Sequence, residues 1–305
     1  MRLVVTGASG LLGLNLSLVA ARQGAVVTGL VNSRSLQGVP FEARQANLLD
    51  TEAALEIIAA SHPEAIIHCA AIASINAAEQ QPELARKLNA EVPGKLAEAA
   101  KSWGVPFVHI STDAVFDGIK GDFRETDPTG PLSIYGRAKL AGEQAVSAAN
   151  PDAIIARTVF YGWSLSGKRS LAEFFFNQLT AGEPMKGFTD LIFCPLYVED
   201  LAQALLEMIE KQLSGVYHVV ATDHLSKYEF GVRIARKFGL NADLIEPVQT
   251  ENVDRGATRS LNLTLNTEKL QQALGHALPG VDAGLARLYD RWAEGYSQTL
   301  QGYRA

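Results

Sequence analysis

The chain has 305 residues, of which 47% are hydrophobic and 20% charged, and a formal net charge of −6. That length can bury a large core, either as one long α/β domain or as two domains sharing a cleft. The acidic balance and the absence of a basic cluster exclude nucleic acid as an expected partner, and no apolar run is long enough to cross a membrane.

The two cysteines, Cys69 and Cys194, lack CxxC spacing, so neither a disulfide framework nor a structural zinc is expected. A reducing cytoplasm is the natural setting. The apolar run in the opening MRLVVTG is too short for a signal peptide. Six histidines are scattered without ligand spacing, and no metal site is expected.

Residues 3–6 form an apolar, β-branched run ending in glycine, which predicts a buried parallel strand. A helix over 11–23 and a second strand over 26–31 complete a βαβ unit. The alternation continues with a helix at 51–61, a strand at 65–69, a long Ala-rich helix at 83–103 and a strand at 105–110. A helix at 133–149 and a strand at 153–156 follow. This rhythm predicts an α/β fold of Rossmann type, a doubly wound parallel sheet with ligands at the carboxyl ends of its strands. After Arg157 the rhythm breaks, and 161–170 has no clear period. Helices are expected at 171–181, 198–211 and 227–238, a strand near 215–220 and a final helix over 283–300. Residues 1–160 thus read as a dinucleotide-binding domain and 161–305 as a smaller mixed α/β substrate lobe, with the chain free to cross between them.

The first turn reads T-G-A-S-G-L-L-G, with Gly7, Gly10 and Gly13 between a strand and a helix. Such glycines permit a tight turn, a close pyrophosphate and a close helix, while the helix N-terminus supplies donors. Gly7, Ser9, Gly10, Leu11, Leu12 and Gly13 are therefore candidate cofactor contacts. The second strand is followed by Asn32, Ser33 and Arg34 rather than by an acidic residue. An acid there would bind the ribose hydroxyls of NAD, whereas an arginine suits a 2′-phosphate. NADP(H) is expected to be preferred, with NAD(H) still accepted. Asn47 and Leu48 after the third strand, and Cys69, Ala70, Ala71 and Ala73 after the fourth, are placed to meet the adenine and nicotinamide, together with Asn89. A core role is the simpler reading for His68.

The fifth strand ends in S-T-D-A-V-F-D-G, and Y-G-R-A-K follows roughly twenty residues later. Residues four apart share one helix face, so Tyr135 and Lys139 can point together at the crevice. Pro128 and Pro131 favour a sharp start to their helix.

In this order, the glycine turn, the strand-end hydroxyl and Tyr135-x-x-x-Lys139 resemble the extended short-chain dehydrogenase/reductases. S-T-D-A-V-F-D-G, R-E-T-D-P from Arg124 and Y-G-R-A-K-L-A-G-E resemble the dTDP-4-dehydrorhamnose reductase family, as does R-S-L-N-L-T-L-N-T-E-K-L from Arg259. The resemblance implies reduction of a nucleotide-linked 4-keto-6-deoxy sugar. Tyr135 would donate the proton, Lys139 would lower the tyrosine pKa and hold the ribose, and Thr112 would polarise the carbonyl. Ser111 and Asp113 would touch cofactor or sugar.

The sequence departs from the family pattern on the substrate side. Ala114 replaces a tyrosine, and R-T-V-F-Y-G-W offers Phe160 or Trp163 in place of the usual tryptophan. Arg259-Ser260 replaces Arg-Pro, and Cys194-Pro195 occupies a usually more polar place. Two alternatives follow: a nucleotide-sugar epimerase or dehydratase, and a non-catalytic NADP-binding regulatory subunit like that of methionine adenosyltransferase. Oligomeric state is poorly indicated, and a homodimer stays open.

Overall fold

The computed structural model describes residues 1–252 and 260–304, so Arg259 lies outside the described residues. Its first βαβ unit is β1 (Arg2–Thr6), α1 (Leu11–Arg22) and β2 (Val26–Val31), where the apolar runs predict it. β3 (Glu42–Gln45), α2 (Thr51–Ala60) and β4 (Ala65–His68) follow. The expected long helix is instead α3 (Ile75–Gln80), α4 (Pro82–Arg86), a π turn over Lys87–Glu91 and α5 (Val92–Trp103). Pro93 supplies the reason. It has no N–H for the carbonyl four residues back, and its ring would clash there in a regular helix.

β5 (Phe107–Thr112), α6 (Ile134–Ala149) and β6 (Ile154–Thr158) complete the first half. The second half is built from shorter pieces: β7 (Phe160–Tyr161), α7 (Leu171–Ala181), β8 (Met185–Phe188), β9 (Ile192–Phe193), β10 (Leu196–Tyr197) and α8 (Val198–Glu210). β11 (Gly215–His218), β12 (Leu225–Ser226), α9 (Lys227–Phe238), β13 (Ile245–Val248) and α10 (Glu268–Leu274) come next. The single helix expected over 283–300 is two, α11 (Val281–Ala293) and α12 (Tyr296–Gly302), separated at Gly295.

Seven strands form one parallel sheet in the order β11-β6-β5-β4-β1-β2-β3. Successive side chains of a strand point to opposite faces, and the two cores divide accordingly. Val4, Ile66, Phe107 and Ile155 meet Leu96 of α5 and Val146 of α6 on one face. Leu3, Val5, Ile67, Val108 and Ala156 meet Leu14 of α1 and Leu201 of α8 on the other. β11, from the second half of the chain, pairs with β6 and closes that side of the sheet. The remaining short strands pair as β7–β10, β9–β12 and β8–β13. Among the described residues no helix is long and apolar enough to cross a membrane.

A buried ion pair joins the elements around the sheet's last turn. Arg157 on β6 donates through Nε to Glu143 Oε1 at 3.0 Å and through Nη2 to Oε2 at 2.7 Å. Ser111 on β5 donates to the same Oε1 at 2.5 Å. Removing one partner of such a pair strands a charge in low dielectric, which costs about 3–5 kcal/mol. Glu143→Leu is therefore expected to lower the unfolding free energy by about that amount in urea titrations. Replacing both Glu143 and Arg157 by leucine should cost less than Glu143→Leu alone. A Glu143→Leu variant within about 1 kcal/mol of the parent would remove this pair from the fold's main supports.

Candidate active site

A cavity of about 740 Å³ opens at the carboxyl ends of the parallel strands, the size of a small-molecule site. One wall is the β1–α1 turn, with Gly7, Ser9, Gly10, Leu11, Leu12 and Gly13. A Cβ on Gly13 would stand 2.2 Å from the Gly7 carbonyl oxygen, so the turn folds onto its helix only without a side chain there. Gly10 caps α1 without a side-chain hydrogen bond, and the first turn holds no acidic residue. The α1 N-terminus thus presents its N–H groups and positive dipole end to the cavity.

Asn32, Ser33 and Arg34 after β2 line the same cavity, as do Asn47 and Leu48 after β3 and Cys69, Ala70, Ala71 and Ala73 after β4. Asn89 does not. Its buried side chain accepts from Ile72 N at 2.9 Å and donates to Ile72 O at 3.1 Å, so it fixes the loop after β4 from behind.

Thr112, Asp113, Ala114, Tyr135 and Phe160 line the same cavity. Ser133 caps α6 by accepting from Gly136 N at 3.0 Å, which starts the helix just before Tyr135. The Tyr135 phenol is hydrogen-bonded to Thr112. Thr112 Oγ1 donates to Asp113 Oδ1 at 2.9 Å and accepts from Ala114 N at 3.2 Å. Lys139 lies one turn further along α6, behind the wall and 2% exposed, with Nζ 3.2 Å from His109 Nε2.

Burial dominates the electrostatics of these groups. Burial pushes Tyr135 up to about 12, offset in part by the Thr112 bond, and Asp113 raises it further. In the free protein the Lys139 ammonium contacts His109. Burial pushes Lys139 itself down to about 8, against the opposing pull of Glu143 and Cys69. Burial also raises Asp113 to about 6. Burial and the Lys139 charge hold both His68 and His109 below the usual imidazole range, so each is a neutral ring. His68 is a core residue, stacked on His109 with centroids 5.7 Å apart.

Two expectations are corrected. Ser111 points away from the cavity and donates to Glu143, since alternation along β5 sends neighbours to opposite sides. Trp163 is buried edge-on against Phe176 and Phe238, and its Nε1 donates to Leu288 O at 3.0 Å. Of Phe160 and Trp163, Phe160 is the one that lines the cavity. Sequence reasoning missed Arg169 and Lys227, which line the cavity from the second half together with Leu191, Phe193 and Leu261. The basic pair in G-K-R-S just before a helix was the one local signal for Arg169.

The chain is 34% identical over 288 residues to the probable low-salt glycan biosynthesis reductase Agl14 of Haloferax volcanii, covering 93% of this chain and 96% of that protein. It is 32% identical to dTDP-4-dehydrorhamnose reductase of Mycolicibacterium smegmatis, over 89% of this chain and 80% of the relative. Methionine adenosyltransferase 2 subunit beta of Pongo abelii is 33% identical over 88% of this chain and 81% of its own. The structure of dTDP-4-dehydrorhamnose reductase from Bacillus anthracis in complex with NADP superposes with a TM-score of 0.82 at 26% identity, covering 95% of this chain and 99% of that one. The family model described as the RmlD substrate binding domain matches residues 1–294. With a glycine turn, strand-end hydroxyl and Tyr–Lys helix on one cavity, the chain belongs to the RmlD substrate binding domain family.

Proposed function

We propose that the protein is an NADP(H)-dependent reductase of a nucleotide-linked 4-keto-6-deoxy sugar, of the dTDP-4-dehydrorhamnose reductase kind. The observation that carries the reading is the placement of Thr112 and Tyr135 on one cavity with the uncapped N-terminus of α1, with Lys139 a turn behind. The residues fit a dinucleotide: the glycine turn leaves room for a pyrophosphate, and Arg34 stands where an adenosine 2′-phosphate would lie. NADP(H) supplies the hydride when bound, and NAD(H) is the weaker alternative.

The protein's own part is proton transfer and orientation. Tyr135 stays protonated well past neutrality, so it holds the proton that the ketone oxygen needs as negative charge develops there. The single proton of Thr112 goes to Asp113 in the free protein, so the hydroxyl turns from Asp113 to donate to the carbonyl. Lys139 in its charged form stabilises the tyrosinate left behind. Ala114 and Phe160 alter the sugar contacts. Residues 1–160 serve mainly the cofactor and 161–305 the sugar nucleotide. The partner is a small molecule rather than nucleic acid, and the unpaired Cys69 and Cys194 suit the cytoplasm.

A regulatory, non-catalytic role is the second reading, favoured by the likeness to methionine adenosyltransferase 2 subunit beta. The intact Thr112, Tyr135 and Lys139 weigh against it. An epimerase or dehydratase is third, and Ala114 after Asp113 leaves no adjacent acid/base carboxylate pair.

Loss of reduced-nicotinamide absorbance with dTDP-4-dehydro-L-rhamnose tests these readings. Oxidation is expected, and Tyr135→Phe should reduce kcat by about 10²–10⁴-fold while cofactor still binds. Unchanged turnover in Tyr135→Phe would overturn the assignment of the acid. Cofactor binding without oxidation of it by any 4-keto sugar nucleotide would favour the regulator. The depressed Lys139 also fixes a pH dependence. Its ammonium is present below about 8 and lost above, so kcat/KM should be highest on the acid side and fall as pH rises through that value. A flat profile from pH 7 to about 9.5 would exclude an essential Lys139 charge.

A further inference from the structure

Two arginines line the cavity from different halves of the chain. Arg34 follows β2, and Arg169 stands in the loop before α7. Neither guanidinium is hydrogen-bonded to a carboxylate among the described residues.

Both loops are held in place by other groups. The Arg169 N–H donates to Glu173 Oε2 at 2.7 Å. The same carboxylate accepts from Ser164 N at 2.6 Å, Ser164 Oγ at 2.8 Å and Ser170 N at 3.0 Å. Glu173 is fully buried, and its lone pairs are taken by the loop rather than by a guanidinium. On the other side, Gln37 N donates to Tyr303 O at 3.0 Å and Gln37 Nε2 to Arg304 O at 2.6 Å. Arg304 Nε then donates to Leu165 O at 2.7 Å, so one short segment is bonded to both arginine-bearing loops.

Burial and the nearby Arg34 charge hold Arg169 below the usual guanidinium range. Two cations on one cavity wall repel, and an anion between them relieves both that repulsion and the loss of hydration. A phosphate monoester, with close to two negative charges and three acceptor oxygens, matches two planar donor forks.

We infer that Arg169 and Arg34 together bind the 2′-phosphate of the cofactor, one arginine from each half of the chain. The inference rests on the cofactor reading above and adds a specificity residue from outside the Rossmann portion.

Calorimetric titration of the intact protein with NADPH, NADH, adenosine 2′,5′-bisphosphate, AMP and dTDP tests it. Arg169→Ala and Arg34→Ala should each weaken NADPH and the bisphosphate by at least about tenfold, leaving NADH and AMP within about twofold. Arg169→Lys should fall between, since it keeps the charge and loses the fork. Arg169→Ala that leaves the NADPH preference intact overturns the inference while the cofactor reading stands. Weakened dTDP binding instead would also overturn it and assign Arg169 to the substrate. A parent protein with no preference between NADPH and NADH would sink the cofactor reading itself.

Discussion

Glu143 is the point at which the structure of the active site is decided. Its carboxylate takes the guanidinium of Arg157 from β6 and the hydroxyl of Ser111 from β5, and it rides on α6. Three elements therefore meet at one buried charge. Gly142 beside it brings α6 against the π turn, where a Cβ would come within 2.2 Å of the Asn89 carbonyl oxygen. Such contacts leave the helix little freedom to slide or rotate. Tyr135 and Lys139 inherit their depth in the crevice from this docking, and Thr112 inherits its position from the strand held at the other side.

The charge arrangement at the site is one in which burial dominates. It pushes the phenol up and the ammonium down, so both groups are biased toward their neutral forms. On the proposed reading, Tyr135 keeps its proton through neutral pH until a ketone oxygen gaining negative charge can take it. His109 has a structural share in this, because as a neutral ring it can accept from Lys139 without adding a competing cation.

Much of the sheet was legible because buried parallel strands are continuous apolar runs. The seventh strand was legible as a strand but not as a member of this sheet, since pairing across sixty residues leaves no local mark. The two-residue strands β7, β9, β10 and β12 are too short to show any period. In the site, the glycine turn and the Tyr–Lys spacing were readable because each is a local constraint. Ser111 was misjudged although the signal was present: neighbours on a strand cannot face the same side, and choosing Thr112 already excluded it. Trp163 and Phe160 carry equal sequence evidence, and only packing against Phe176 and Phe238 sends one inward. Lys227 reaches the cavity through tertiary folding alone, and Arg169 leaves no local mark beyond the basic pair before α7.

The insertion of β11 beside β6 has a consequence for how the chain can be divided. A fragment ending near residue 160 would leave Ile154, Ile155 and Ala156 on a flat apolar edge with unpaired N–H and C=O groups. Such an edge is a template for a second chain and invites aggregation. It would also uncover the face of α1 on which α8 rests. The first half of the chain thus depends on the second for a sheet edge and a helix face, and truncation near residue 160 is expected to yield an insoluble product.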